Sequence, residues 1–256
     1  MSGDVRPAAA GAEPQAAAAA AGAESQLQVI LASASPRRTQ LLAEAGVAHV
    51  VHAVEVDETL EPDLLRNPAE ACKKLAERKA SASVESYLSD PAHTGTMLFI
   101  GADTMVVESG EIFGKPADEA DARRMLRRLS GATHQVMTAV SLWLVSAPGA
   151  PAAQEAPAAP EASASAGEDL SLYFRTLVDT SNVTFHPLDE AAITDYLTCG
   201  ESYDKAGAYA VQGEGARLVK RVEGHLDTVI GLPVTRLLQD FPELFGVEER
   251  LGGICR

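Results

Sequence analysis

Apolar positions recur along this chain with two periods, two residues in some segments and three to four in others, and segments of the two kinds alternate. Val29-Ile30-Leu31 reads as a strand. It is followed by a turn and by the amphipathic segment 39–44, with Ser35 suited to cap the helix and Pro36 to open it. Residues 49–54 read as a second strand and residues 68–83 as a helix capped by Asn67. The apolar run Met97-Leu98-Phe99-Ile100 predicts a strand that delivers Asp103 at its C-terminal end, and a short strand over 111–113 follows. Asp118 caps a helix running to about Leu129, Asp189 caps another that stops before Gly200, and Pro233 opens a last one through Leu238. Residues 136–145 and 170–178 are strands joined as an overgrown hairpin. Strands and helices alternating around one long hairpin predict an α/β fold with a mixed rather than purely parallel sheet. No internal repeat is visible.

Two stretches break this pattern. Residues 1–26 are dominated by alanine, including 16–21, and contain Asp4, Glu13 and Glu24 against a single cation, Arg6. They read as a disordered tail, since a secretory signal needs a basic start and a greasier core, and a mitochondrial presequence is arginine-rich and acid-poor. Residues 147–168 set Pro148, Pro151, Pro157 and Pro160 among alanine, serine and glutamate, a composition that cannot bury enough surface to order itself. This predicts one domain over 27–246 carrying an insertion at 147–168, with a tail at 247–256; a linker between two domains is the competing view.

Composition narrows the class. A chain of 256 residues with 46% hydrophobic and 22% charged residues can bury a full core, and no window approaches the roughly 18 apolar residues of a membrane span. The net charge of -15 argues against a protein that coats nucleic acid, so any phosphate site is local. Cys72, Cys199 and Cys255 have no metal-ligand spacing and read as free thiols of a reducing, cytoplasmic compartment.

The candidate chemistry lies in five places. Ser33-Ala34-Ser35-Pro36-Arg37-Arg38 adds two hydroxyls and two guanidinium groups to the free N–H groups of a helix start, a cluster suited to an anion. It equally reads as an ordinary capped helix. Asp103 suits a proton acceptor or a ligand to a divalent cation, with the Thr104 hydroxyl in the same turn; an aspartate capping that turn is the plain alternative. Asp57-Glu58 and Gly114-Lys115-Pro116 complete an inventory of acid, metal site and cation that phosphoryl transfer uses. In Asp204-Lys205-Ala206-Gly207-Ala208-Tyr209-Ala210-Val211-Gln212-Gly213, small residues permit close backbone approach, Lys205 can meet phosphate, and the Gln212 amide can read a base edge. Asp121, Arg123, Arg124, Arg127 and Arg128 read as one exposed helix face. Walker A, three-glycine dinucleotide, H-E-x-x-H and G-x-S-x-G patterns are all absent.

Taken together, Leu31-Ala32-Ser33-Ala34-Ser35-Pro36-Arg37-Arg38, Gly101-Ala102-Asp103-Thr104, Gly114-Lys115-Pro116, the 204–213 segment and Gly231-Leu232-Pro233 resemble, in order and spacing, the Maf family of nucleoside triphosphate pyrophosphatases. The resemblance covers residues 28–145 and 170–245. It implies an elongated fold like that of inosine triphosphate pyrophosphatases, with a mixed sheet, flanking helices and two lobes around a nucleotide cleft. It implies a divalent cation, magnesium or manganese, a nucleoside triphosphate as partner, and water attack on the α-phosphorus to release the monophosphate and pyrophosphate. A homodimer is compatible with the family. In its terms Asp103 is the proton acceptor and, with Glu58, a holder of metal or water. Arg37, Arg38, Lys79, Lys115 and Lys205 are cations for phosphate, beside Ser33 and Ser35. Arg37, Thr104 and Gln212 match members resembling dTTP/UTP pyrophosphatases, whereas an aromatic residue at position 37 would suggest the 7-methyl-GTP type. A nucleotide-binding regulator of cell division is the alternative from another class.

Overall fold

The computed structural model describes residues 27–146 and 171–245; the tails expected at 1–26 and 247–256 and the insertion expected at 147–168 lie outside the described residues. Its frame is a seven-stranded mixed sheet. Strand β1 (Gln28–Leu31) runs parallel to β2 (Val50–Val51) on one side and to β3 (Thr96–Glu108) on the other. The short β4 (Glu111–Phe113) turns back along the end of β3, and β5 (Thr133–Ser146), β6 (Ser171–Phe185) and β7 (Val219–Glu223) continue the sheet antiparallel, in the order β2-β1-β3-β5-β6-β7.

Helices α1 (Pro36–Glu44), α2 (Pro68–Leu88), α3 (Glu119–Leu129), α4 (Glu190–Thr198), α5 (Leu226–Ile230) and α6 (Val234–Asp240) flank it. Three of them start where a short polar side chain takes up a free N–H of the first turn. Asn67 accepts from Glu70 at 3.4 Å, Asp118 from Asp121 at 2.8 Å and Asp189 from Ala192 at 2.8 Å. Ser35 occupies the cap position of α1 but makes no side-chain cap bond. No helix among the described residues is long and apolar enough to cross a membrane.

Strand alternation decides which helix covers which residues. On one face of β3, Leu98, Ile100 and Ala102 join a core with Leu41 and Leu42 of α1 and Leu237 of α6, while Val106, farther along the same face, joins a second core with α3 and α4. On the opposite face, Met97, Phe99, Met105 and Val107 pack against α2. Thr104 therefore falls between two cores on one face, and Asp103 interrupts the α2-facing stripe on the other.

Several boundaries differ from the sequence reading. The strand at 49–54 shrinks to two residues, the helix at 68–83 extends to Leu88, and β7 and α5 were not expected. The largest correction concerns β3. It does not end at Ile100 but runs on to Glu108, 13 residues in all, paired with β5 through Ala102↔Val140, Asp103↔Ala139 and Thr104↔Thr138. Asp103 is a mid-strand residue, and Thr104 shares no turn with it. Gly101 is also not a turn residue. A Cβ there would lie 2.3 Å from the Ala76 carbonyl oxygen and 2.7 Å from the Ala80 nitrogen, so the missing side chain is what lets α2 touch the strand.

Candidate active site

Along the edge of β3, β1 pairs only as far as Ile100 and β4 begins only at Val106. Residues 101–105 thus have no strand partner on that edge, and the notch is bounded by the turn after β1, which carries Ser33 to Arg38, and by Gly114-Lys115 after β4. A break in a sheet edge brings backbone and both faces within reach of one ligand.

On the α2 side, the Lys79 ammonium donates to Asp103 Oδ1 at 2.6 Å and contacts Glu58 Oε1 at 2.8 Å. Close packing at Gly101 brings Lys79 down to the strand. The Asp103 side chain is 11% exposed, Lys79 16% and Glu58 54%. Burial pushes the Asp103 carboxyl above its ordinary pKa, against the pull of Lys79 and Arg38. Glu58 is held below its ordinary value, first by the hydrogen bond from Lys79, with Lys115 and Arg38 adding charge. These four charges around Glu58 place Lys79, Lys115, Arg38 and Asp103 in one electrostatic neighbourhood. Lys115 is exposed on its turn and forms no hydrogen bond or ion pair of its own among the described residues.

Glu58 lies in a segment without regular structure, yet it is fixed. One guanidinium nitrogen of Arg78 donates to the carbonyls of Asp57 at 2.9 Å and Thr59 at 2.6 Å, gripping the backbone on both sides, and Asp57 Oδ1 accepts from the Thr59 N–H at 2.9 Å. Adjacent residues of one helix thus hold the backbone and the carboxylate of Glu58. Sequence reasoning passed over Arg78, whose only signal was its place beside Lys79.

Arg38 is not a free phosphate cation. Its Nε–H donates to the Gly231 carbonyl at 2.8 Å, Nη1 to Ser33 Oγ at 3.0 Å and the Ala102 carbonyl at 2.9 Å, and Nη2 to Thr104 Oγ1 at 3.2 Å. Four of its five N–H groups are spent joining the turn after β1, the edge of β3 and the turn before α6. Burial lowers its pKa from the ordinary value, with Asp103 opposing, and it remains a cation. Ser33 Oγ accepts from both Arg38 and the Ser35 N–H. Thr104 is likewise engaged, with Arg38 and with Thr138 Oγ1 at 3.0 Å, and Thr138 donates onward to the Thr228 carbonyl. Ser33, Arg38 and Thr104 therefore form the wall of the notch, whereas the Ser35 hydroxyl stays without a partner among the described residues.

The 204–213 segment closes on the same region through backbone. The Gly207 N–H donates to the Gly114 carbonyl at 3.0 Å, and Gly207, at φ 69°, packs so close to Val106 that a Cβ would lie 3.1 Å from it. Arg37 approaches Asp204 at 3.9 Å, tying α1 to this loop. Lys205 is turned inward, donating to the Glu201 carbonyl at 2.6 Å and to the Asp204 carboxylate. The Gln212 side chain is exposed and has no partner among the described residues. The structure thus gathers Asp103, Lys79, Glu58, Lys115 and Arg38, lines them with Ser33, Ser35 and Thr104, sets Arg37 beside Arg38 in the first turn of α1, and links Lys205 and Gln212 to them only through the loop.

Other residues of the site gave no sequence signal. Cys72 points its thiol at the Asp103 carbonyl, 3.3 Å away, and burial pushes its pKa to about 12, making it an inert packing group. Buried His134 shares a 2.7 Å hydrogen bond with Tyr209 of the loop. The arginines of α3 do bind acids on its outer face, with Arg123 and Arg127 meeting Glu190 of α4.

Comparison with known proteins identifies the family. The Maf-like protein family model matches residues 28–244, taking in every strand and α-helix described above. A dTTP/UTP pyrophosphatase of Geobacter sulfurreducens is 39% identical over 206 residues, 80% of this chain and 91% of the relative. One from Bacillus velezensis is 38% identical over 209 residues, covering 82% and 92%, and one from Symbiobacterium thermophilum is 39% identical over 220 residues, covering 86% and 94%. The chain belongs to the Maf-like protein family.

Proposed function

We propose that this protein hydrolyses dTTP and UTP to the monophosphate and pyrophosphate, with Asp103 receiving the proton of the attacking water. The observation that carries the reading is a buried mid-strand carboxylate held by Lys79, whose ammonium Glu58 shares, at a notch in the sheet edge. Its chemistry suits the activity for which the relatives are named, and Arg37, Thr104 and Gln212 fit the pyrimidine type that the resemblance implies.

The family resemblance implies a divalent cation, and the donor set can be tested for it. Asp103 and Glu58 supply hard carboxylate oxygens converging on one ammonium, while no group of three or more His, Cys, Asp or Glu among the described residues is placed to hold an ion. Two carboxylates fit magnesium or manganese when phosphate oxygens complete the coordination. Asp103 and Glu58 would hold it, and when bound it neutralises charge on the phosphates and the leaving group. The protein's own groups do the rest. Arg37, Lys115 and the N-terminus of α1 with Ser35 take up phosphate charge. Arg38 fixes the wall of the notch, Lys205 is available once turned from Asp204, and Gln212 meets the pyrimidine edge.

Incubation with magnesium or manganese and a panel of nucleoside triphosphates tests the reading by its products. UMP or dTMP with pyrophosphate supports it. Orthophosphate as first product marks a general phosphatase, preference for 7-methyl-GTP overturns the pyrimidine assignment, and binding without product marks a regulator.

A further inference from the structure

Lys79 stands where a cation bridging Asp103 and Glu58 would stand. Its Nζ is within 2.8 Å of an oxygen from each, so the protein fills the space between its two acids with its own positive charge. The three partners differ in freedom. Asp103 is fixed in the middle of β3 by pairing with β5, and the backbone around Glu58 is gripped by Arg78. Lys79 is a compact charge on a flexible four-carbon stem rising from α2. Of the three, the ammonium is the group that can leave.

We infer that Lys79 and the divalent cation are alternative occupants of one place, so that metal enters with the triphosphate and not before it. The inference rests on the proposed function, because it takes a triphosphate to give both cations somewhere to go. Without nucleotide, Lys79 offsets the repulsion between two acids, one of them buried, and halves the negative charge they offer a free ion while filling the space between them. A triphosphate offers anionic oxygens to which the ammonium can swing and the oxygens that complete a coordination sphere two carboxylates cannot complete. Lys79 thus serves first as a counterion to the acids and then as a counterion to phosphate.

Manganese binding followed by electron paramagnetic resonance, without nucleotide and near pH 8, tests this apart from turnover. Wild-type protein is expected to bind manganese weakly, at about 1 mM or above. Lys79→Gln is expected to bind it at least tenfold more tightly, and Lys79→Gln with Asp103→Asn to lose the gain. Thermal unfolding by circular dichroism establishes that the variants are folded, and Lys79→Met replaces Lys79→Gln if the latter is not. Unchanged or weaker affinity in a folded Lys79 variant overturns the inference, as does micromolar binding by nucleotide-free wild type whatever the variants do. The two failures are distinguishable: turnover of UTP without the affinity gain sinks this inference and leaves the proposed function, whereas the gain without turnover sinks the proposed function and leaves only the exchange of Lys79 for metal.

Discussion

The two ends of the candidate site are built in opposite ways. Around Asp103 the polar side chains already have partners inside the protein: Lys79 with two carboxylates, Arg38 with four acceptors, Thr104 with Arg38 and Thr138. In the 204–213 loop the backbone is held while the side chain of Gln212 has no partner among the described residues. Tyr209 is anchored on His134, the Ala210 N–H donates to Tyr196 Oη at 3.3 Å, and Glu201 accepts from the N–H groups of Glu214 and Gly215 at 3.4 Å each. Chemistry that must be repeated on every substrate is embedded in a sheet, where geometry costs nothing to re-form. The Gln212 amide stands on a braced loop with its donor and acceptor unpaired among the described residues, which suits the base-reading role proposed for it.

Removing the catalytic end alone should have the largest effect. Asp103→Asn is nearly isosteric and keeps an oxygen for Lys79, so steady-state assays should show turnover of UTP reduced about a thousandfold, with thermal unfolding and nucleotide affinity little changed. Near-wild-type turnover would remove Asp103 from its role. At the recognition end, Gln212→Ala should leave the rate with the best substrate within a few-fold but reduce discrimination between UTP and purine nucleotides roughly tenfold, about 1.4 kcal/mol, read as a ratio of kcat/KM values. Equal losses on all nucleotides would instead make Gln212 a general contact.

The last effect concerns the brace and falls on stability, leaving turnover at neutral pH unchanged. Burial lowers the pKa of His134 from 6.5 to about 4, so between those values the unfolded chain binds the proton and the folded one does not. This contribution to stability is complete above about pH 6.5 and declines as pH falls toward 4, by at most about 1.4 kcal/mol per unit. Denaturant unfolding across this range should show the decline in wild type and a flatter curve in His134→Gln.

The same contrast governs what could be read from the sequence. Caps were legible because Asn67, Asp118 and Asp189 act within three residues of themselves, and the phosphate-sized cluster and the small-residue loop were legible as composition. The position of Asp103 was not. Gly101-Ala102-Asp103-Thr104 looks like the end of an apolar run, and a glycine there suggests a turn, whereas its role is set by the backbone of α2, far away in sequence. Arg38 shows the same limit, since an arginine in a first helical turn reads as a solvated cation unless Gly231, Ala102 and Thr104 are known to surround it. The strand Val219-Lys220-Arg221-Val222-Glu223 is too charged to announce itself, and α5 is too short.

The proposed reaction is attack of water on the α-phosphorus of a pyrimidine triphosphate under the direction of Asp103. Hydrolysis of UTP in water enriched with oxygen-18, followed by mass spectrometry of both products, tests it most directly. One labelled oxygen is expected in UMP and none in pyrophosphate; label in pyrophosphate with unlabelled UMP would place the attack on the β-phosphorus and overturn this reaction.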